Sequence, residues 1–293
     1  MSPPPDDEHV ERSLKSLKDF QRATVDVVYD NLFKNGQQRM LVADEVGLGK
    51  TIVAKGVIAR CIKDRLASGD RQPLKVTYIC SNQVIAQENV GKLDIYPNRQ
   101  SHDRFASRLT YLAFEPSDSG DGVLRLNTLT PGTSFNKGRS TGQQDERRIL
   151  YSLLMQDEQL QNHGKAVAAI LRAGVQKTAG KWHRLLESER DEPCGQRLRP
   201  CCHQRFLKAI RKKKISYSDS SLSEHLEIRR KISVYDAVIE LAKLVTLKNF
   251  LQYRDGSDEL VRELKDTLSD VCVEYIDADI YILDEFQLSL IHI

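Results

Sequence analysis

Residues 43–51 read Ala-Asp-Glu-Val-Gly-Leu-Gly-Lys-Thr, a Gly-rich turn followed at once by Lys50 and Thr51. In such a turn backbone N–H groups cradle phosphate oxygens, the Lys ammonium reaches the β- and γ-phosphates, and the Thr hydroxyl reaches Mg²⁺. This reading assigns ATP to Gly47, Leu48, Gly49, Lys50 and Thr51, with Thr51 also on the metal. One position departs from the general pattern: Asp44 stands where Gly is usual. The plainer alternative for an isolated Gly-x-Gly-Lys-Thr is a turn entering a helix.

A second stretch completes the chemistry. Ile280-Tyr281-Ile282-Leu283 is an apolar run that ends in Asp284-Glu285. Nucleotide hydrolysis needs carboxylates at such a strand end, one to hold Mg²⁺ and one to orient or deprotonate the attacking water. Asp284 is assigned to the metal and Glu285 to the water, so the expected catalytic set is Lys50, Asp284 and Glu285. A strand that merely ends at the surface would carry the same pair, but the phosphate loop in the same chain favours an ATP hydrolase.

The elements needed to position these groups are legible as patterns. Arg39–Ala43 reads as a strand leading into the loop, and Thr51–Ile62 as the helix leaving it, an arrangement that sets a helix N-terminus against phosphate. Arg12–Phe33 has helical spacing of apolar residues. Val76–Cys80 reads as a strand followed by a helix through Ile85, Val90 and Leu93, while Ser107–Leu112 and Leu124–Leu129 read as short strands. This alternation predicts an α/β fold, a mostly parallel sheet with helices on both faces.

The character changes from Glu146 to Cys272. Val234, Val238, Leu241 and Val245, then Leu260, Leu264, Leu268 and Val271, recur at helical spacing, so a mostly helical insertion is expected before the last strand. The expected divisions are residues 1–11 as a disordered lead-in, 12–145 as the first part of the sheet domain, 146–272 as the insertion, 273–287 as the returning strand, and 288–293 as a tail. Pro193–Pro200 is the expected flexible joint of the insertion. Arg205, Lys208 and Arg211–Lys214 form a basic run that suits either a phosphate backbone or a solvated helix end. Trp182 has the choice of stacking on a base or filling a core.

Composition excludes several classes. The net charge is only +3, so nucleic-acid binding has to rest on local patches. No apolar run approaches a membrane span. The acidic, Pro-rich start, Met1-Ser2-Pro3-Pro4-Pro5-Asp6-Asp7-Glu8, is not a secretory signal. Six scattered cysteines suit a reducing cytoplasm, which is the expected location. The Cys194-to-Cys201 gap is too wide for a zinc ligand pair, so Cys194, Cys201, Cys202 and His203 read as a Cys-containing turn.

At the two chemical stretches the chain resembles a family. Asp44-Glu45-Val46-Gly47-Leu48-Gly49-Lys50-Thr51 resembles motif I of superfamily-two (DEAD/DEAH-type) helicases, in the Swi/Snf-like branch, where Asp at position 44 is expected. Asp284-Glu285-Phe286-Gln287 is similar to the Asp-Glu-x-x box, in the Asp-Glu-Phe-Gln form of a prokaryotic subgroup. The resemblance implies a RecA-like lobe, ATP and Mg²⁺ as cofactors, and an ATP-dependent nucleic-acid translocase or helicase, with DNA the favoured track. It implies that Gln21, in Phe20-Gln21-Arg22, reads the adenine edge. It also implies nucleic-acid backbone contacts from Ser81 and Asn82, and from Thr130, Pro131, Gly132 and Thr133. Such enzymes need a second RecA-like lobe that supplies arginine fingers, and this is expected as a partner beyond Gln287. Leu288–Ile293 resembles the translation of a sequencing-library adapter, so that tail is expected to be non-native and the chain a fragment. The alternative function is a nucleotide-switched P-loop interaction module without motor activity.

Overall fold

The computed structural model describes residues 5–43, 48–96, 108–115, 123–130, 141–172, 175, 178–215, 221–226 and 231–284. In chain order the elements are α1 (Pro5–Lys15), α2 (Asp19–Tyr29), α3 (Lys50–Ser68), β1 (Leu74–Cys80), α4 (Gln83–Leu93) and β2 (Leu124–Leu129). There follow α5 (Gln144–Leu154), α6 (Glu158–Gln161), α7 (Gly164–Ile170), α8 (Ala179–Ser188), α9 (Cys202–Lys212) and β3 (Lys214–Ile215). The chain continues through α10 (Ser221–Leu226), β4 (Ile232–Ser233), α11 (Val234–Leu244), α12 (Arg254–Val273) and β5 (Ile280–Asp284). The fold is α/β, with a three-stranded parallel sheet and a majority of helix.

The chain divides into two compact units. Residues 1–108, 117–132 and 277–293 form a sheet unit, and 109–116 with 133–276 form a helical unit. The helical unit therefore begins earlier and ends later than the expected 146–272, and it also claims the segment around residue 112. That segment, expected as a strand, is a 3₁₀ turn over Leu109–Ala113 with Leu109, Thr110 and Tyr111 buried.

In the sheet unit the strand order is β2-β1-β5, all parallel. Val76 lies opposite both Leu126 and Ile280, and Cys80 lies opposite Asp284. Because side chains alternate along a strand, Leu74, Val76, Tyr78 and Cys80 share one face with Leu124, Leu126, Ile280 and Ile282. Helices α1 to α4 bury that face in one continuous apolar cluster. On the opposite face of β5, Tyr281 and Leu283 are 49% and 63% exposed. Among the described residues of this unit, α1–α4 contribute to the apolar cluster on the first of these faces.

Three further expectations are corrected in this unit. Residues 5–11 are helical, not a disordered lead-in: Val10 is buried, and Glu11 pairs with Lys63 at 2.6 Å. The single helix over 12–33 is instead two helices, α1 and α2, broken at Ser16–Lys18, with a π-turn over Asp30–Lys34 after α2. At the break the Lys18 N–H donates to Gln21 Oε1 at 3.1 Å, and Leu17 turns inward against α3. Arg39–Ala43 pairs with no strand among the described residues, and Leu41 is 85% exposed. Its apolar side chains do not obtain the burial that would hold it in the sheet.

Gly56 on α3 sets how closely α2 and the turn between α1 and α2 approach. A Cβ there would lie 2.6 Å from Val25 Cγ2 and 3.2 Å from Leu17 Cδ1. Gly91 on α4 has open space at the same point. Gly56→Ala is therefore expected to lower the melting temperature, because overpacking of ~1–3 kcal/mol outweighs a helix-propensity gain of about 1 kcal/mol. Gly91→Ala, which gains the propensity alone, should raise it. Equal stabilisation by both would show that the helices do not approach as described.

The helical unit is built around α12, whose Leu260, Val261, Leu264 and Leu268 are fully buried. Trp182 on α8 is also fully buried, and its Nε1–H donates to the Ala168 carbonyl of α7 at 3.0 Å. It is a core residue and presents no face to a base. The expected flexible joint at 193–200 is corrected as well. Leu198 bridges to Phe114, the Glu115 N–H donates to the Arg197 carbonyl at 2.8 Å, and Pro193 is buried. The joint is fixed by long-range backbone pairing that local composition does not encode.

Candidate functional site

The chain enters α3 through Gly49, whose φ of +87° lies in the left-handed region. Gly fits for a second reason, since a Cβ there would sit 2.9 Å from Gln21 Nε2. Gly49 is the N-cap of α3 and supplies no side-chain cap; its carbonyl accepts from the Ile52 and Val53 N–H groups at 2.8 and 3.0 Å, and the positive end of a 19-residue helix lies at this point. Lys50 and Thr51 are the first two residues of that helix.

A cavity of about 710 Å³ brings Lys50 and Thr51 together with Tyr78 of β1, Asp284 of β5 and residues 37–42. Its volume falls in the usual range for small-molecule sites, ~300–1,000 Å³. Val53, Val57, Ile280 and Ile282 supply much of its apolar wall. Asp284 ends β5 at the carboxyl edge of the parallel sheet, where ligands of open α/β sheets bind.

The carboxylate of Asp284 is held from the neighbouring strand. Tyr78 Oη donates to Asp284 Oδ2 at 2.6 Å, and Asn89 Nδ2 of α4 donates to Tyr78 Oη at 2.9 Å. Burial first, and the bond to Asp284 second, push the Tyr78 phenol far above its ordinary range, so it stays a donor. Sequence reasoning had no means of finding Tyr78 or Asn89. A Tyr in an apolar strand is unremarkable until the register sets it beside a particular carboxylate.

The other expected site residues divide by location. Gln21 is 4% exposed; its Oε1 accepts from the Lys18 N–H and its Nε2 donates to the Leu48 carbonyl at 3.2 Å. Its observed partners are protein groups, and it ties α2 to the end of the Gly-rich turn. Ser81 and Asn82 follow β1, and Thr130 follows β2, so all three share the sheet edge that carries Asp284. Asn82 Oδ1 caps α4, accepting from Val84 N–H at 2.8 Å, and Thr130 is buried. Gly47, Pro131, Gly132, Thr133 and Glu285 lie outside the described residues.

Three of the six cations in the basic run of the helical unit are in ion pairs. Arg205 pairs with Glu274, Arg211 with Asp157 at 2.6 Å, and Lys213 with Glu263 at 2.9 Å. Among the described residues no cluster of three or more His, Cys, Asp or Glu has metal-holding geometry, and no helix is long and apolar enough to cross a membrane. Mg²⁺ on a nucleotide does not need such a cluster, because one or two carboxylates plus substrate phosphates are its usual ligands.

No protein-family model, curated protein or solved structure matches this chain.

Proposed function

We propose that this chain is the ATP-binding lobe of an ATP-dependent nucleic-acid translocase of RecA-like architecture, with DNA the favoured track. One observation carries most of the weight. Lys50 and Thr51, at the N-terminus of α3, line the same cavity as Asp284, at the carboxyl end of a parallel strand.

The residues fit Mg·ATP in their donor types. The α3 amides and the Lys50 ammonium suit the phosphates, while the Thr51 hydroxyl and the Asp284 carboxylate suit the metal. Bound Mg²⁺ would neutralise charge on the β- and γ-phosphates. Tyr78, anchored by Asn89, fixes one Asp284 oxygen and so limits the carboxylate's rotation. Gln21 holds the Gly-rich turn through Leu48. Glu285, next to Asp284 in sequence, is assigned to the attacking water. Turnover and stepping would require arginines from a second lobe, so this chain alone is expected to bind ATP and hydrolyse it negligibly.

The test is titration calorimetry of this chain with a slowly hydrolysed ATP analogue, with and without Mg²⁺. The expected dissociation constant lies within the roughly 1 μM–1 mM span of ordinary enzyme substrates, and it should weaken at least ~10-fold when Mg²⁺ is omitted, a loss of about 1.4 kcal/mol. Absence of binding at millimolar analogue would sink the proposal. Binding without DNA-stimulated hydrolysis, once a second lobe is supplied, would favour the nucleotide-switched module over the motor.

A further inference from the structure

Three hydrogen bonds in series lead from the surface of α4 to the carboxylate at the end of β5. Lys92 Nζ donates to Asn89 Oδ1 at 3.1 Å, Asn89 Nδ2 donates to Tyr78 Oη at 2.9 Å, and Tyr78 Oη donates to Asp284 Oδ2 at 2.6 Å. Asn89 and Lys92 stand one turn apart on α4, so they share a face of the helix. Tyr78 lies opposite Ile282, and Asp284 is two residues further along β5 on the same face of the sheet. Lys92 is exposed, whereas Asn89 and Tyr78 are buried, so the two links between surface and strand are shielded from water.

The chemistry of each link fixes the direction of the next. An ammonium has donors and no acceptor, so the Asn89 atom that faces Lys92 is the carbonyl oxygen. The amide nitrogen is thereby turned to the Tyr78 oxygen and donates to it. With that oxygen accepting from Asn89, the phenol gives its only proton to Asp284. Turned the other way, the amide would take the phenol proton and leave a phenol lone pair against a carboxylate oxygen. The Lys92 charge thus decides, two side chains away, whether Asp284 meets a donor or an acceptor. Carboxylates that ligate metals are themselves held by outer hydrogen bonds, whose loss lowers metal affinity by roughly 10–100-fold.

We propose that Lys92, Asn89 and Tyr78 are positioning residues for the metal carboxylate, linked in one direction that Lys92 sets. The proposal rests on the reading of Asp284 as the Mg²⁺ carboxylate. Tyr78 lines the nucleotide cavity, but Lys92 does not. A surface lysine that touches neither nucleotide nor metal therefore governs how tightly the metal is held. Its effect is preorganisation: a carboxylate already bonded at one oxygen has less freedom to lose when the ion arrives.

The experiment titrates Mg²⁺ into the chain with a slowly hydrolysed ATP analogue, and compares the parent with Tyr78→Phe, Lys92→Met and Lys92→Arg. The Mg²⁺ concentration giving half of the metal-dependent gain in analogue affinity should rise roughly 10–100-fold in Tyr78→Phe. It should rise roughly 2- to 10-fold in Lys92→Met, the worth of one partly exposed hydrogen bond, and return towards the parent value in Lys92→Arg, which keeps a donor without an acceptor. Affinity for the analogue without Mg²⁺ should stay as in the parent. A merely structural role would lower that metal-free affinity and leave the Mg²⁺ requirement where it was, which overturns the proposal; so does an unchanged requirement in Lys92→Met. The Tyr78 hydroxyl proton gives a readout without nucleotide. Shielded from water and bonded to Asp284, it should appear as a slowly exchanging proton resonance, vanish in Tyr78→Phe and move in Lys92→Met. If it does so while the parent binds no analogue, the nucleotide reading alone fails. If the analogue binds and the resonance is unmoved in Lys92→Met, the directing role of Lys92 fails and the nucleotide reading stands.

Discussion

Lys50→Ala is expected to weaken binding of Mg·ATP by roughly 30- to 4,000-fold while leaving the fold intact. Removing one partner of a desolvated, hydrogen-bonded charge pair costs about 2–5 kcal/mol, and each 1.4 kcal/mol is about tenfold in the dissociation constant. The effect follows from placement. Lys50 is the first residue of α3, at the positive end of the helix and in the cavity that Asp284 lines. The ammonium therefore adds a full charge where the helix supplies only partial ones. Lys50→Arg should recover part of the loss, since it keeps the charge but not the compact, flexible ammonium. Calorimetry reads the affinity, and circular dichroism verifies that α3 persists. If Lys50→Ala bound as well as the parent chain, the cavity would not be a phosphate site.

Trp182→Ala should abolish cooperative folding of the helical unit or lower its melting temperature sharply. Truncating a fully buried Trp costs about 3–5 kcal/mol. The Ala168 carbonyl, which now accepts the indole N–H at 3.0 Å, would lose its partner at a further cost of ~1–3 kcal/mol. Together these approach the whole stability of an ordinary domain, roughly 5–15 kcal/mol. Trp182→Phe should be much milder, since it refills most of the space and leaves only the carbonyl unsatisfied. Trp182 is the sole tryptophan of the chain, so its fluorescence reports the parent unit's unfolding directly. A Trp182→Ala variant melting within about 2 °C of the parent would contradict the core assignment, given that 1 kcal/mol shifts a domain of this size by roughly 2–4 °C.

The sequence made some of this architecture readable and hid the rest, for identifiable reasons. β1 and β5 were visible because each is a short apolar run that has to be buried on at least one face, and α11 and α12 because long amphipathic helices repeat their signal over several turns. Lys50, Thr51 and Asp284 were singled out by residue type and spacing, and they line one cavity. What stayed hidden depends on partners far away in the chain. The helix at 5–15 exists because α3 offers Val10 and Leu17 a surface, not because its own composition is strongly helical. The segment at 109–113 reads as a strand by composition, yet its Thr110 hydroxyl donates to Glu146 and its Thr110 carbonyl accepts from Cys272. Residues 39–43 carry a strand's composition without a strand's pairing. Tyr78 acquires its role only when β1 and β5 stand in register.

The order of the strands also governs how the molecule can be built. β1 and β2 are joined through α4 and can pair early, whereas β5 is separated from β2 by the 150 residues from 130 to 279. At ribosomal speeds of about 5–20 residues per second, that interval lasts roughly 8–30 s. Throughout it, the edge of β1 that β5 will cover presents unpaired N–H and C=O groups, a template for any passing strand. Contacts so distant in the chain are also slow to form, because the loop entropy is lost before the contacts compensate for it. The sheet edge that carries Asp284 is thus completed only after the whole helical unit has been synthesised.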